Sequence, residues 1–296
     1  MEQINEESRA DGAPDASAIA AHAEPSAAQR SVQSVEVGGR LLLALADSRT
    51  DLSLKDLAAR AGLTPSRAHP YLVSFGRLGL VEQRVASGRY GLGPAALQIG
   101  LAALHQLDPI QAAAPVAEAL AARTGHAVAL AVWGNFGPTV VRLIEARQPL
   151  HVTLRAGSVM SLTGTATGRA FVAALPPDRL EHASPAALGE SPGARPWQER
   201  REELQAIAQE CRTHGVARAA GRPIPGVNAF SAAAFDHEGE AALVITALDH
   251  EDRLDSAWAS PTARAVRDAA AQITRRLGGK EPTASARRDD DRCRCR

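Results

Sequence analysis

The chain has 296 residues, enough for about two domains. Hydrophobic residues supply 45% and aromatics only 3%, so its cores must rest on Ala, Leu and Val. Lys plus Arg and Asp plus Glu are both 33, which excludes a partner selected by bulk charge and leaves only local charge to speak for one.

No apolar run approaches the roughly 18 residues of a membrane span. Acids stand at the N-terminus, where a signal peptide needs bases and then an apolar stretch. Of three cysteines, Cys211 lies in a helical pattern and Cys293 and Cys295 in a polar tail, which suits a reducing cytoplasm and not a disulfide framework. Residues 1–33 carry six acids against two bases and no sustained apolar period, and are expected to be disordered. The same holds for residues 279–296, "GKEPTASARRDDDRCRCR", whose CxC pair has no second Cys/His pair to complete a metal site.

Residues 34–92 form the first unit. "SVEVGGRLLLALADS" places Val37, Leu41, Leu42 and Leu45 on one helical face. "SLKDLAARAGL" follows, with Ser53 and Asp56 spaced as a capping box, Leu54, Leu57, Ala58 and Ala61 facing inward, and Gly62 as its stop. Thr64 caps a third helix with Pro65 at its first position, where a missing N–H costs little. Its inward positions are Ala68, Leu72, Phe75 and Leu78; Ser66, Arg67, Pro70, Ser74 and Arg77 face out, with His69 and Tyr71 at the flanks. "LVEQRVASGRYGLG" then reads as a hairpin around Ala86-Ser87-Gly88.

Residues 93–109 read as a linker helix, rich in Ala and Leu, whose apolar excess suits packing against a second copy. Residues 110–278 form the second domain. A helix ends at Gly125; strand-like "HAVALAVWG", a Gly-Pro turn, "TVVRLIEA" and "LHVTLR" follow. Next come helical "TATGRAFVAAL" and "PWQERREELQAIAQECRTHG", then strand-like "VNAFSAAAFD" and "AALVITALD" joined at "HEGE", and a last helix from about Ser260 to Leu277. Consecutive strands with short turns, mixed with helices, predict an α+β domain around an antiparallel sheet.

Two short helices, a tight turn and a hairpin make a winged helix-turn-helix, whose last helix enters the major groove of DNA. From residue 34 to 107, eight bases outnumber five acids, a modest excess that fits a phosphate-contacting face. A small helical unit serving protein contacts fits the same spacing.

The array resembles the IclR family of bacterial transcription regulators over about residues 34–278. In the first domain the residues that carry the likeness are "LSLKDLAARAGLTPSRAHPYLVSFGRLGLVEQ" and "GRYGLGPAALQIG"; in the second, "RAGSVMSLTGTATGRAFVAAL" and "HGVARAAGRPIPGVNAFSAAAFD". The resemblance implies a winged helix-turn-helix, a linker helix that dimerises, and a GAF-like effector domain with an antiparallel sheet. It implies binding to double-stranded operator DNA as a homodimer or dimer pair, modulated by a small aromatic or aliphatic organic acid, with no cofactor. Carried over, Thr64, Ser66, Arg67, His69 and Tyr71 fall on the recognition helix, and Arg84 and Arg89 in the wing. For the effector, Leu162, Thr165, Ala166 and Thr167 lie on the loop and helix start, Asn228, Ala229 and Ser231 on one strand, and Thr246 and Leu248 on the next.

Two departures stand out. Related sequences commonly have a base where this chain has Pro70. The swap removes a charge and an N–H, so the helix is expected to bend or to stop and restart there, and DNA to be bound more weakly or at a different half-site. The alternative is a sensor acting through protein contacts, its DNA binding weakened by Pro70. "VARAAGRPIPG" replaces a short acidic run of many relatives and brings Arg222 to the rim of the pocket.

Catalytic patterns are missing. Gly164 and Gly168 are separated by three residues and followed by Arg-Ala, which is not a P-loop, and there is no HExxH and no GxSxG. "DHEGE" and "DHEDR" read as solvated turns, and His126, His151 and His214 as solitary surface or strand-end residues.

Overall fold

The computed structural model describes residues 32–48, 50–150, 152, 154–181, 183–188 and 197–280. Most of both expected unordered tails, including Cys293 and Cys295, lies outside the described residues, as does His151. The chain divides after Ala103 into two compact units.

In the first unit α1 (Gln33–Ala46) buries Val37, Leu41 and Leu45, one stripe at helical spacing. α2 (Leu54–Arg60) starts at Ser53, whose Oγ accepts the Asp56 amide at 3.2 Å and donates to Asp56 Oδ2 at 2.7 Å. α3 (Pro65–Arg77) is capped by Thr64, whose Oγ1 accepts the Arg67 amide at 3.4 Å. β1 (Val81–Gln83) and β2 (Tyr90–Leu92) pair antiparallel, and a bridge between Leu52 and Tyr90 ties the α1–α2 turn to the hairpin. Leu41, Leu57, Ala68, Leu72 and Val81 meet in one core. Leu78 does not join it. It caps the end of α3 and is 65% exposed, because Gly79 at φ +70° turns the chain back before its side chain reaches the interior.

The helix does not stop and restart at Pro70: α3 runs through it as one α-helix. Ala68 and Leu72, buried on either side, pin both flanking turns to the core, while Pro70 sits exposed. Its missing N–H denies the Ser66 carbonyl its usual i+4 donor, and packing offsets an intrinsic cost of about 3 kcal/mol.

α4 (Pro94–His105) follows with no buried residue; Leu97 is 64% and Ile99 62% exposed. Among the described residues no helix is long and apolar enough to cross a membrane.

The second unit is built on a five-stranded sheet of order β4-β3-β7-β6-β5, every neighbouring pair antiparallel. Its strands are β3 (Ala127–Gly134), β4 (Gly137–Ile144), β5 (Ala217–Ala220), β6 (Val227–Phe235) and β7 (Ala241–His250). The helices are α5 (Pro109–Thr124), α6 (Ala166–Ala174), the short α7 (Pro177–Glu181) and α8 (Pro185–Leu188), α9 (Trp197–His214) and α10 (Pro261–Arg276).

The period of two sorts the sheet's side chains into two cores. Val128, Leu130, Phe230, Ala232, Leu243 and Ile245 meet α5 and α10. Ala127, Ala129, Ala131, Val244 and Leu248 meet Phe171 of α6 and Leu204 and Ile207 of α9. The result is an α+β domain with helices on both sheet faces.

Two local readings change, and one unread segment becomes a strand. "LHVTLR" forms no strand among its described residues. The β3–β4 turn is Asn135-Phe136, closed by the Gly134–Gly137 pair, so Gly137 and Pro138 begin β4. "ARAA" is strand β5, made so by its pairing with β6 and not by any propensity of alanine.

Candidate functional site

On α3, Thr64, Ser66, Arg67 and His69 are exposed together with Pro70, Val73, Ser74 and Arg77. Thr64 Oγ1 and Ser66 Oγ lie 3.1 Å apart, beside the first turn of α3. Tyr71 is only half available, since its ring packs on the core formed with α1. The wing residues are placed at the hairpin, but neither guanidinium is free. Arg84 Nε donates to Asp51 Oδ2 at 3.0 Å and its Nη1 to Glu82 Oε2 at 3.1 Å; Arg89 Nη1 donates to the Asp51 carbonyl at 3.1 Å.

In the second unit the loop before α6 folds on itself. Ser161 Oγ accepts the Gly164 amide at 3.1 Å, and the Ser161 carbonyl accepts the Thr165 hydroxyl at 2.7 Å. Thr165 caps α6 by accepting the Gly168 amide at 3.0 Å. Gly168 has to be glycine for space: a Cβ there would stand 2.0 Å from the Ser161 carbonyl oxygen. Loop oxygens thus use the amides of Gly164, Thr165 and Gly168, leaving Ala166 and Thr167 as the helix-start amides without an intrahelical acceptor.

Beside that first turn, three buried hydroxyls converge. Thr167 Oγ1 lies 2.9 Å from Thr246 Oγ1, and Ser231 Oγ lies 2.7 Å from the same Thr246 oxygen. Three hydroxyls carry three protons and share two contacts, so one proton remains to be donated elsewhere. Ser231 pairs across the strands with Thr246, and Ala229 with Leu248, giving a small patch on the sheet face under α6. Leu162 is fully buried in the same core. The nearby Arg169 of α6 is committed elsewhere, its Nη1 donating to the Arg218 carbonyl at 2.9 Å and its Nη2 3.5 Å from Glu210.

Asn228 is not brought to this patch. Its amide nitrogen donates to the Leu254 carbonyl at 2.9 Å and its oxygen accepts the Gly221 amide at 3.1 Å, on the α10 side of the sheet. Strand alternation gives the reason: Asn228 and Ala229 are consecutive and must face opposite ways. Pro223 does approach the loop before α6, 4.0 Å from where a Cβ on Gly164 would lie.

Two features escaped sequence reasoning. His126, read as solitary, is buried and bound to Asp249 and Thr262. Only the strand pairing that sets Ala127 opposite Leu248 brings them together. An open cleft of about 410 Å³ lies at the β3–β4 turn, lined by Trp133, Gly134, Asn135, Asp178 and Arg179; it shares no residue with the hydroxyl cluster.

The family model for the bacterial transcriptional regulator IclR C-terminal domain matches residues 101–275, and that for the IclR helix-turn-helix domain matches residues 34–85. The chain belongs to the IclR family. It is similar to the glycerol operon regulatory protein of Streptomyces griseus, 31% identical over 256 residues that cover 84% of this chain and 98% of the relative. Among solved structures it is similar to Pseudomonas aeruginosa HmgR, with TM-score 0.75 and 33% identity, covering 85% of this chain and all (100%) of that one. The Agobacterium tumefaciens repressor BlcR shares the fold at TM-score 0.69 and 22% identity, over 84% of this chain and 99% of that one. This IclR-family chain is therefore a transcription regulator, not an enzyme, with a helix-turn-helix DNA-binding domain and a C-terminal effector domain.

Proposed function

We propose that this regulator reads operator DNA with the exposed face of α3 and that a small organic acid, aromatic or aliphatic, sets its affinity from the second unit. Thr64, Ser66, Arg67 and His69 meet bases and phosphates in the major groove, with Tyr71 at the flank and the hairpin arginines Arg84 and Arg89 over the backbone. The acid's carboxylate takes the spare hydroxyl proton of the Thr167–Thr246–Ser231 cluster and the amides of Ala166 and Thr167 at the positive end of α6. Leu162, Thr165, Ala229 and Leu248 bound the site.

The observation that carries this reading is the cluster itself: three hydroxyls from residues far apart in sequence, all buried, with one more donor than they consume.

The regulator acts as a homodimer in the cytoplasm. The exposed apolar residues of α4 suit a second copy, and effector binding favours one arrangement of the paired reading heads over another. The test joins two measurements. A thermal-shift screen of aromatic and aliphatic acids identifies a stabilising ligand, and mobility shifts on the DNA upstream of the regulator's own gene are then read with and without it. A ligand that shifts melting but leaves DNA binding untouched refutes effector control. Absence of any DNA complex at low salt favours a sensor working through protein contacts.

A further inference from the structure

We infer that Asp51, in the turn between α1 and α2, is a positioning residue for DNA binding: it holds Arg84 in an internal ion pair and so withholds one phosphate contact from the wing. The inference rests on the proposed placement of the hairpin against the DNA backbone.

Four charges meet at the base of the hairpin. Asp51 Oδ2 lies 3.0 Å from Arg84 Nε, and Glu82 Oε2 lies 3.1 Å from Arg84 Nη1. Arg89 Nη1 reaches the Asp51 carbonyl at 3.1 Å, bringing its charge to the same residue. Two carboxylates thus offset two guanidiniums, and a wing that reads from sequence as basic is neutral as folded.

The arrangement is built into the backbone. Leu52 and Tyr90 exchange hydrogen bonds at 2.9 and 2.8 Å, which sets Asp51 beside β2. Its carboxylate then lies directly over Gly91. A Cβ on Gly91 would stand 2.4 Å from Asp51 Oδ1, and its φ is not in the left-handed region, so glycine there leaves the carboxylate room to sit beside Arg84. The pair remains in reach of a ligand, with Arg84 and Asp51 side chains 50% and 34% exposed.

A DNA phosphate must therefore displace Asp51 before Arg84 can serve it. Each phosphate that a base neutralises on B-DNA releases condensed counterions and steepens the log–log salt dependence by about 0.9. Arg84 contributes less than that while Asp51 holds it, and more once that acid is gone and only Glu82 remains beside it.

The test is a fluorescence-anisotropy titration of the full chain on a labelled duplex of arbitrary sequence, from about 50 to about 200 mM NaCl. Asp51→Asn is expected to bind more tightly than wild type, with a salt slope steeper by up to about 0.9 and an advantage that shrinks by up to about threefold across the range. Arg84→Met alone changes little, yet in the Asp51→Asn background it abolishes the gain. Gly91→Ala, whose methyl group pushes the carboxylate away, moves affinity and slope in the same direction; should Asp51→Asn fail to fold in a thermal melt, Glu82→Gln and Gly91→Ala carry the test.

A merely structural role for Asp51 would alter melting and leave the slope in place. Equal affinity and slope in wild type and Asp51→Asn overturn the inference. So does an Arg84→Met change that weakens wild type as much as it weakens the variant. A wild-type chain that ignores duplex DNA at low salt overturns instead the reading on which the inference rests.

Discussion

His126 Nδ1 lies 2.9 Å from Asp249 Oδ2, joining residues 123 positions apart. Asp249 only accepts, so Nδ1 carries the proton, and in the neutral ring Nε2 accepts from the Thr262 hydroxyl at 3.2 Å. The other carboxylate oxygen accepts Arg253 Nε at 2.9 Å and the His250 amide at 2.8 Å. Burial opposes charge on Asp249, but the hydrogen bonds from Arg253, His126 and the His250 amide outweigh it and hold the carboxyl below its ordinary value. A carboxyl lowered in the folded state stabilises fully above its unfolded value, near pH 4, and loses that contribution as pH falls through the folded value. Asp249→Asn is expected to lose about 1–2 kcal/mol at pH 7 in urea unfolding, because the buried His126 ring loses its charged acceptor while the exposed Arg253 is screened by solvent. The gap to wild type should close at lower pH; a gap that stays constant refutes the assignment.

Thr246 is the middle member of the hydroxyl cluster, contacting both others. Thr246→Val strands the buried Thr167 and Ser231 hydroxyls, at a cost of about 1–3 kcal/mol in denaturant unfolding. The same substitution should abolish the thermal shift given by an organic acid. Retained ligand response would move the effector site elsewhere.

Pro70 stands exposed on the face of α3 proposed to meet DNA. Pro70→Arg restores a charge and the N–H for the Ser66 carbonyl; tighter DNA binding is expected, with a salt slope steeper by about 0.9. Pro70→Ala restores the N–H alone, so it should raise the melting temperature without steepening the slope. Identical slopes for Pro70→Arg and wild type would dispose of a phosphate contact there.

The exposed leucines and isoleucine of α4 form the surface proposed to meet a second copy. Ile99→Glu with Leu101→Glu should shift the sedimentation coefficient from dimer toward monomer at micromolar concentration. An unchanged sedimentation profile would refute α4 as the contact between copies.

Burial pushes the Cys211 thiol up to about 11, against a smaller opposing effect of Arg169. The thiol is therefore protonated at neutral pH, and Cys211 should resist iodoacetamide in the native chain while reacting after denaturation, as read by peptide mass mapping. Rapid labelling of the native protein would contradict that burial.

Much of the fold is legible because its signals are local. Ser53 and Thr64 cap their helices with side chains three residues from the amides they accept, and Gly62, Gly79 and Gly125 supply the positive φ that ends a helix. The site residues are legible in part. Thr167 and Thr246, 79 positions apart, meet through hydroxyls that no local spacing pairs, whereas strand alternation alone suffices to send Asn228 to the opposite face from Ala229.

The order of helices, the hairpin and the antiparallel sheet were fixed by spacing, capping and turn residues acting over a few positions. Tertiary structure decided what depends on contacts between distant segments. It keeps α3 intact across Pro70, makes a strand of "ARAA", buries His126 on Asp249, and turns Arg84 inward onto Asp51. The reason is physical. A local pattern fixes the conformation a segment prefers, but the energy of a buried hydroxyl, a paired charge or a strained helix turn depends on neighbours that only the folded chain supplies.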